Sequence, residues 1–367
     1  IDEDYVNLEN QLAGISASNG MKFLVSRQCD DCNGLVAFVT YVLPESDAAA
    51  KGIERGGFIT TINGTGLNVN NYRDLLYGDA LTYTVGLADY DPTEESFDLT
   101  GETITLDKIE NFQEDPIHRN LVLDVGGQKV GYLMYNQFLN EFDDQLIQTF
   151  SDFATEGITD LVLDLRYNGG GSVRTCVYLA SMITGQFTDE IFAQQIWNSK
   201  LLAYFDALNS NSNDSDNREL NNYFTTTTNE GVTLPALNLN TVYIIATNRS
   251  ASASELLING LTPHINVVLI GNTTYGKNVG SITVYDYIDN EGTKNPNHTY
   301  AMQPIVLKIA NSEGFADYAN GLDPDIELRE RASNLGVLGA PSEPLLSLAL
   351  SQITSSGKYI TPQGEAL

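Results

Sequence analysis

The sequence is organised around a short serine-rich turn that reads Ser250-Ala251-Ser252-Ala253-Ser254-Glu255. Residues 241–246 before it form an apolar, β-branched run of strand length, and residues 256–261 after it have a pattern typical of a helix. The turn therefore leads from a strand to a helix N-terminus, where backbone N–H groups and the helix dipole favour negative charge. A serine at such a turn is typical of an acyl-transfer nucleophile, because the oxyanion that forms beside it needs preorganised donors.

A serine hydroxyl needs a base before it can act as a nucleophile. The histidines are His118, His264 and His298, and none lies in a Gly-x-Ser-x-Gly context or another local triad signature. The alternative base is Lys277, which lies between glycines in a polar, uncharged stretch. We expect this lysine to be buried without a counter-charge, because burial disfavours the charged amine and leaves it able to accept a proton.

A glycine loop lies earlier in the chain and reads Asp164-Leu165-Arg166-Tyr167-Asn168-Gly169-Gly170-Gly171. This loop, the serine turn and Tyr275-Gly276-Lys277, in that order, resemble the motifs of the C-terminal processing (tail-specific) protease family. Members of that family are PDZ-containing serine peptidases with a Ser–Lys dyad. The resemblance implies that Ser252 is the nucleophile and Lys277 the general base, and that the N–H groups of Gly170 and Ala253 form the oxyanion hole. It implies neither a cofactor nor a metal ion.

Two positions depart from the family pattern. The glutamine that often lies four residues after the lysine, and orients it, is Ser281 here, and a hydroxyl has a shorter reach. The usual proline of the glycine loop is Gly169, which predicts a less rigid loop. These departures keep a second function open, that of a catalytically inactive peptide-binding (PDZ) scaffold of the cell envelope.

Other interpretations of the same residues involve no catalysis by Ser252. Ser252 and Glu255 also match a capping box, and Ser250 and Ser254 are rival candidates for the nucleophile. The run from Gly271 to Lys277 resembles a P-loop, but Asn follows the lysine where Ser or Thr is required, and the next residues have a strand pattern.

The length of 367 residues suggests about two domains. We predict a short N-terminal helix over residues 1–14, a PDZ-like domain over 15–110, and a serine protease core over 111–367 that begins with a polar link, 111–124. Gly20-Met21-Lys22-Phe23 resembles the carboxylate-binding loop of PDZ domains, whose N–H groups would hold the C-terminus of a substrate.

Strand and helix patterns alternate in the second region, which indicates an α/β architecture. The resemblance implies a crotonase-like ββα core. An insertion is predicted at about 186–236, with a helix over Ile196–Tyr204 and a mobile, low-complexity loop over 209–217. Continuous strands are predicted over 281–288 and 299–309.

Composition limits the function classes. The formal net charge of −29 and the pI near 4.2 argue against nucleic acid and anionic membrane surfaces as partners. The sequence has no run of about 18 apolar residues that would span a membrane. The family resemblance implies an exported bacterial protein of the periplasm or cell envelope, with or without a lipid anchor, whose partners are protein or peptide substrates with free C-termini. The oligomeric state stays open.

Cys29-Asp30-Asp31-Cys32 is a C-x-x-C pair, but two aspartates are the wrong neighbours for a redox motif because they disfavour the thiolate. A zinc site would need further Cys or His ligands nearby. A local disulfide and two free thiols both remain open. Cys176 lies in an apolar helical pattern and is predicted to be in the core.

Overall fold

The computed structural model describes residues 1–354 except residues 92, 95, 212–219 and 290. The chain divides into two units. The smaller unit comprises Gly14–Glu114 and Arg331–Val337, and the larger unit comprises Ile1–Ala13, Asp115–Glu330 and the residues from Leu338 onward. The region predicted as PDZ-like, 15–110, lies in the smaller unit. No local sequence pattern predicted that a segment near the C-terminus would join it.

The helices of the described residues are α1 (Tyr5–Leu12), α2 (Asp47–Ala50), α3 (Tyr72–Tyr77), α4 (Asp143–Glu156), α5 (Val173–Thr184), α6 (Ser199–Asn211), α7 (Ala253–Leu261) and α8 (Pro344–Thr354). The strands of the smaller unit are β1 (Ile15–Ser18), β2 (Met21–Arg27), β3 (Leu35–Val42), β4 (Phe58–Ile62), β5 (Thr65–Gly66), β6 (Thr82–Asp91), β7 (Ser96–Asp107) and β8 (Ile109–Gln113). Those of the larger unit are β9 (Ile117–Val125), β10 (Gln128–Tyr135), β11 (Asp160–Asp164), β12 (Ile191–Trp197), β13 (Asn221–Tyr223), β14 (Thr241–Ala246), β15 (Asn266–Gly271), β16 (Val279–Ser281), β17 (Val284–Tyr285), β18 (Ala301–Met302), β19 (Ile305–Asn311) and β20 (Ile326–Glu327).

The smaller unit is built on an antiparallel sheet with the strand order β2-β3-β4-β6-β7. The short strand β5 also pairs with β4. Alternate residues of these strands point to one face and form its core, together with Ala48 of α2. Strands β1 and β8 pair separately and place Ile15 opposite Gln113. Strand β2 therefore lies at an edge of the main sheet of this unit.

The larger unit contains a mixed six-stranded sheet with the order β20-β15-β14-β11-β10-β9. All neighbouring strands in it are parallel except β9, which pairs antiparallel to β10. Three consecutive residues of β11 are fully buried, namely Leu161, Val162 and Leu163. This is expected of a parallel strand that is covered on both faces. A second sheet, β13-β12-β19-β16, is antiparallel. Helix α7 contacts β15 of the first sheet and β12 and β19 of the second.

The sheet order decides where the predicted motifs meet. Strands β11, β14 and β15 are adjacent and parallel, so the loops that follow them emerge at the same edge of the sheet. These loops carry the glycine loop, Ser252 and Lys277 respectively. In open α/β sheets, the carboxyl ends of the strands are the usual place for a functional site. The mixed α/β class predicted from the sequence is confirmed.

The predicted polar link over 111–124 is wrong. Strand β8 continues to Gln113, and β9 occupies Ile117–Val125 as an edge strand of the larger sheet. Polar and apolar residues alternate along β9 because an antiparallel edge strand exposes one of its faces. The two long strands predicted nearby are also interrupted. The strand predicted over 281–288 is divided into β16 and β17, and the strand predicted over 299–309 is divided into β18 and β19. The pairing of β16 with β19 contains a register shift.

The helix predicted over Ile196–Tyr204 begins later than expected. Trp197 ends β12, and α6 starts at Ser199 because the side chain of Asn198 accepts hydrogen bonds from the N–H groups of Lys200 and Leu201, both at 3.1 Å. This is an N-terminal capping arrangement. The first three residues of the predicted loop 209–217 end α6, and the others lie outside the described residues.

Candidate active site

Ser252 lies at the N-terminus of α7 with φ +56° and ψ −111°, a left-handed φ that is rare for a residue with a side chain. Its side chain is half-buried. The N-cap serines of α2 and α5, Ser46 and Ser172, have the extended backbone that capping normally requires. Capping alone therefore does not account for the backbone of Ser252. Strain at a strand–turn–helix junction is typical of an exposed nucleophile.

The two rival serines have structural roles. Ser250 is fully buried, donates from Oγ to the carbonyl of Leu165 at 2.7 Å, and accepts the N–H of Thr247 at 2.9 Å. Ser254 is also fully buried and donates from Oγ to the carbonyl of Asn168 at 2.9 Å. Both hydroxyls join the serine turn to the end of β11 or to the glycine loop. The geometry favours Ser252 over both of them as a nucleophile.

Glu255 connects the serine turn to the loop that carries Lys277. Its carboxylate is fully buried and accepts the N–H of Ser252 at 3.0 Å, which is one half of the predicted capping box. The same carboxylate accepts the N–H groups of Gly276 and Lys277 at 2.6 and 2.8 Å, and the hydroxyl of Thr274 at 2.6 Å. Because hydrogen bonds to an ionised group are strong, Glu255 fixes the two loops relative to each other. The sequence indicated the capping bond but not the contacts across to residues 274–277.

Gly170 of the glycine loop lies against the serine turn. Its φ is +103°, and a Cβ there would lie 2.7 Å from Cβ of Ser252 and 2.9 Å from the backbone nitrogen of Ala253, so only glycine fits. The N–H of Gly170, however, donates to Oδ1 of Asn168 at 2.8 Å. The N–H of Ala253 has no acceptor among the described residues. Of the two predicted oxyanion donors, Ala253 is available in this structure and Gly170 is engaged.

The expected burial of Lys277 is wrong. Its backbone is held by Glu255, but its side chain is exposed and its amine forms no hydrogen bond or ion pair with a described residue. Ser281 is also exposed, at the end of β16, and no bond joins its hydroxyl to Lys277 in the described part of the chain. A glycine-flanked position indicates a turn and does not tell whether the side chain is covered.

The histidines have partners away from the serine turn. Nε2 of His264 lies 3.1 Å from the carbonyl of Ile191, and Nε2 of His298 lies 3.0 Å from a carboxylate oxygen of Asp286. His118 is buried on the edge strand β9. This placement is consistent with a base other than histidine.

A buried charge cluster lies directly before the glycine loop. The guanidinium of Arg166 is fully buried and pairs with Asp164 at 2.7 Å, Glu343 at 2.7 Å and Glu330 at 2.9 Å. Burial alone would lower the pKa of Arg166, but the carboxylates of Asp164 and Glu343 outweigh it and raise that pKa above its usual value. The cluster joins the end of β11 to the residue just before α8, and so fixes the base of the glycine loop.

A cavity of about 480 Å³ opens beside Ser252. It is lined by Gly169 of the glycine loop, by Asn248 and Arg249 just before the serine turn, by Ala251 of that turn, and by Thr274 and Tyr275. The cavity therefore touches all three of the loops that emerge at the carboxyl edge of the sheet.

The predicted carboxylate-binding loop lies in the smaller unit, at the start of β2. Gly20 donates its N–H to Oγ of Ser18 at 3.0 Å, and Met21 donates to Oδ1 of Asn19 at 3.1 Å. These two N–H groups are therefore satisfied within the loop, a feature that no sequence pattern indicated. The amine of Lys22 pairs with the carboxylate of Glu114. The ring of Phe23 on the edge strand β2 lies 5.5 Å from the ring of Tyr77 on α3, so Phe23 packs against this helix.

The cysteines are free thiols in this structure. Cys29 and Cys32 hydrogen-bond to each other in the β2–β3 turn, which raises the pKa of Cys29 and lowers that of Cys32. Cys176 is fully buried in α5, as predicted, and burial raises its pKa well above the usual range.

Residues 129–328 match the model of "Peptidase family S41", which is more than half of the chain. The chain belongs to peptidase family S41. The match begins in β10, ends just after β20, and includes the glycine loop, Ser252 and Lys277. The resemblance to C-terminal processing proteases is confirmed by curated relatives of that description.

Among these relatives, the carboxyl-terminal-processing protease of Picosynechococcus is 24% identical over 75% of this chain and 58% of its own length. The chloroplastic carboxyl-terminal-processing peptidase 1 of Arabidopsis thaliana is 24% identical over 85% of this chain and 58% of its own length. The chain thus spans less than two thirds of the curated relatives it matches.

Solved structures agree on the fold. A protein of Bacteroides fragilis assigned to the S41 proteases matches 95% of this chain and 87% of its own, with a TM-score of 0.70 and 27% identity. The match to the photosystem II D1 C-terminal processing protease covers 92% of this chain and 78% of that protein, with a TM-score of 0.50. At 18% identity this match supports the fold alone.

Among the described residues of this S41 chain, no helix is long and apolar enough to cross a membrane. The same residues contain no group of three or more His, Cys, Asp or Glu side chains placed to hold a metal ion.

Proposed function

We propose that this S41 protein is a serine endopeptidase in which Ser252 is the nucleophile and Lys277 the general base. The observation that carries the proposal is the left-handed backbone of Ser252 at the start of α7. It presents the hydroxyl beside the N–H of Ala253, for which the described residues supply no acceptor, and Glu255 anchors the Lys277 loop to the same turn. These features support the proposal that a nucleophile, an oxyanion donor and an amine act together at one edge of the sheet.

The reaction follows from these roles. The neutral amine of Lys277 takes the proton of Ser252 as Oγ attacks the scissile carbonyl, and the N–H groups of Ala253 and Gly170 bind the oxyanion. The protonated amine then gives its proton to the leaving amine, and water hydrolyses the acyl-enzyme. This sequence requires the exposed Lys277 to come within hydrogen-bond reach of Ser252, and the Gly170 N–H to leave Asn168, when substrate binds.

The smaller unit is proposed to be a PDZ-like domain that binds the C-terminal tail of a substrate. Its strand β2 lies at the edge of the sheet, where a peptide can add as a further strand, and Phe23 and Tyr77 supply an aromatic surface beside it. The sequence of the larger unit suggests a crotonase-like core. The character of the relatives suggests an exported, cell-envelope protein that acts on proteins with free C-termini.

The test is cleavage of an unfolded protein with a defined C-terminal tag. Ser252→Ala and Lys277→Ala should each lower kcat by at least about a thousandfold, the scale of losing a triad member. Ser151→Ala on α4 and Lys308→Ala on β19 are matched controls that should cleave at the wild-type rate. Wild-type activity in either Ser252→Ala or Lys277→Ala would end the dyad assignment.

The second candidate function is an inactive peptide-binding scaffold. Two observations favour it, the exposed amine of Lys277 and the engaged N–H of Gly170. A scaffold would bind tagged peptides through the smaller unit without turnover of any unfolded substrate, whatever the pH. Turnover that depends on Ser252 rejects it.

A further inference from the structure

The cavity beside Ser252 contains a single charged side chain among its lining residues in the described chain, that of Arg249. Two of the other lining residues, Ala251 and Gly169, are the immediate neighbours of Ser252 and Gly170. A peptide whose carbonyl reaches Ser252 therefore lies against this cavity. A group attached to that peptide within one or two residues of the reacting bond is in reach of Arg249.

Arg249 has no partner for its positive charge in the described part of the chain. Its backbone N–H donates to Oγ1 of Thr247 at 3.2 Å, but its guanidinium forms no hydrogen bond or ion pair with any described residue. Arg166, which follows β11 in the glycine loop, is by contrast paired with three carboxylates. The chain has 48 acidic and 19 basic residues, so partners for an arginine are abundant. An unpaired guanidinium beside the candidate nucleophile is thus left available to a ligand.

The buried carboxylate of the site, Glu255, does not serve as a partner. Glu255 is fully buried, and its two oxygens accept the N–H groups of Ser252, Gly276 and Lys277 and the hydroxyl of Thr274. A guanidinium presents a planar fork of N–H donors that matches a carboxylate with two parallel hydrogen bonds. The free donors of Arg249 are therefore suited to a carboxylate that comes with the substrate.

We propose that Arg249 binds a carboxylate of the substrate in this cavity and makes the site selective for an acidic group close to the scissile bond. The inference rests on the proposed peptidase function and specifies its substrate class. The carboxylate has two sources, an Asp or Glu side chain near the cleaved bond or the C-terminus of the substrate itself. Arg249 determines specificity and takes no part in proton transfer.

The experiment measures binding and turnover separately. Fluorescein-labelled Ala-Ala-Glu-Ala-Ala and Ala-Ala-Gln-Ala-Ala, each with a free acid or an amide at the C-terminus, are titrated by fluorescence anisotropy against the full chain carrying Ser252→Ala. The same titration is made with Arg249→Gln and Arg249→Lys added. Lys129→Gln is the matched control, because it removes one positive charge from an exposed ion pair with Glu156 in the same unit.

The proposal expects the wild-type Arg249 protein to bind a carboxylate-bearing peptide about tenfold more tightly than the neutral amide, the size of a hydrogen bond to a charged group. Arg249→Gln should abolish the difference, Arg249→Lys should keep part of it, and Lys129→Gln should leave it unchanged. If the difference follows the Glu/Gln exchange, the ligand is a side chain. If it follows the acid/amide exchange, the ligand is the chain terminus.

Turnover is followed on denatured casein, with cleavage sites mapped by mass spectrometry. In Arg249→Gln, the fraction of cleaved bonds that have a carboxylate nearby should fall. The KM for substrates with such a carboxylate should rise, and kcat should change little. Equal binding of all four peptides, no measurable binding, or an unchanged preference in Arg249→Gln would each overturn the proposal. If Arg249-dependent binding holds and wild-type protein cleaves nothing, the peptidase function fails while the carboxylate site stands.

Discussion

Gly170 has no room for a side chain where it lies against the serine turn. A side chain there would meet the Cβ of Ser252 and the carbonyl of Ala251 at 2.7 and 2.8 Å, and the φ of +103° adds backbone strain. Gly169 beside it has no atom within 4 Å of an added Cβ. The two adjacent glycines therefore have opposite tolerance to the same substitution.

We expect Gly170→Ala to lower the free energy of unfolding by about 2–4 kcal/mol, from the clash and the left-handed backbone together. Gly169→Ala is the matched control and should change it by less than about 0.5 kcal/mol. Urea denaturation followed by circular dichroism measures both. Equal stability of the two variants would contradict the close approach of the glycine loop to the serine turn.

Glu255 gives a second prediction at this scale. Glu255→Gln keeps the shape of the side chain but replaces one acceptor oxygen with an NH₂ group that faces N–H donors. We expect the free energy of unfolding to fall by about 2–4 kcal/mol, since bonds to a buried charged group are lost. We also expect kcat to fall, because the Lys277 loop is released from the serine turn.

The control for Glu255→Gln is Glu156→Gln, an exposed acid in a surface ion pair, which should behave like the wild type. Denaturation midpoints and peptide turnover are measured on the same preparations. A Glu255→Gln protein with wild-type stability would show that the four hydrogen bonds of Glu255 do not hold the two loops together.

At the scale of elements, one buried cluster joins three parts of the larger unit. Asp164 ends β11, Glu343 immediately precedes α8, and Glu330 follows β20, and all three carboxylates contact Arg166. Tyr132 on β10 adds a hydrogen bond to Asp164 at 2.8 Å. Removing the cation leaves buried carboxylates without a counter-charge, which is far costlier than losing a surface pair.

Arg166→Met should therefore lower the free energy of unfolding by about 3–5 kcal/mol. The control is Arg329→Met, whose guanidinium is largely exposed in its pair with Glu327. Guanidinium chloride titration compares the two. A loss below about 1 kcal/mol in Arg166→Met would mean that the carboxylates take up protons or find other donors at little cost.

The elements show which features the sequence was able to predict. The strand–turn–helix at residues 241–261, the helix from Val173 and the capping bond of Glu255 follow from periodicity and local chemistry, and the structure has each of them. The hydrogen bonds that the N–H groups of Gly170 and Met21 donate to the side chains of Asn168 and Asn19 were not predicted, because nothing in a motif tells which N–H groups are already satisfied. The exposure of Lys277 was missed for a related reason, since covering a side chain depends on distant elements.

For the whole molecule, the dominant property is the net charge of −29. Like charges spread over one chain repel and destabilise the compact state, and salt screens them. Raising NaCl from about 0.01 M to about 0.15 M shortens the screening length from about 30 Å to about 8 Å, so we expect the unfolding temperature to rise by about 2–4 °C. Differential scanning calorimetry measures the shift.

Sorbitol at matched osmolality is the control for solvent effects unrelated to screening, and it should give a smaller increase. A transition temperature that stays constant or falls with NaCl would indicate that attractive ion pairs, such as the Arg166 cluster, outweigh the general repulsion.

The smaller unit is a cassette made of two pieces. Its long piece starts and finishes at neighbouring points, since Glu114 donates its N–H to the carbonyl of Gly14 at 3.1 Å. Its short piece, Arg331–Val337, is held by the guanidinium of Arg55, which donates to the carbonyls of Leu335 and Gly336, each at 3.0 Å. Residues 14–114 could be inserted into another protein at a single site because their two ends are close together. Such an insertion would leave Arg55 without these acceptors. Exchange of this cassette between proteins therefore has to carry both pieces.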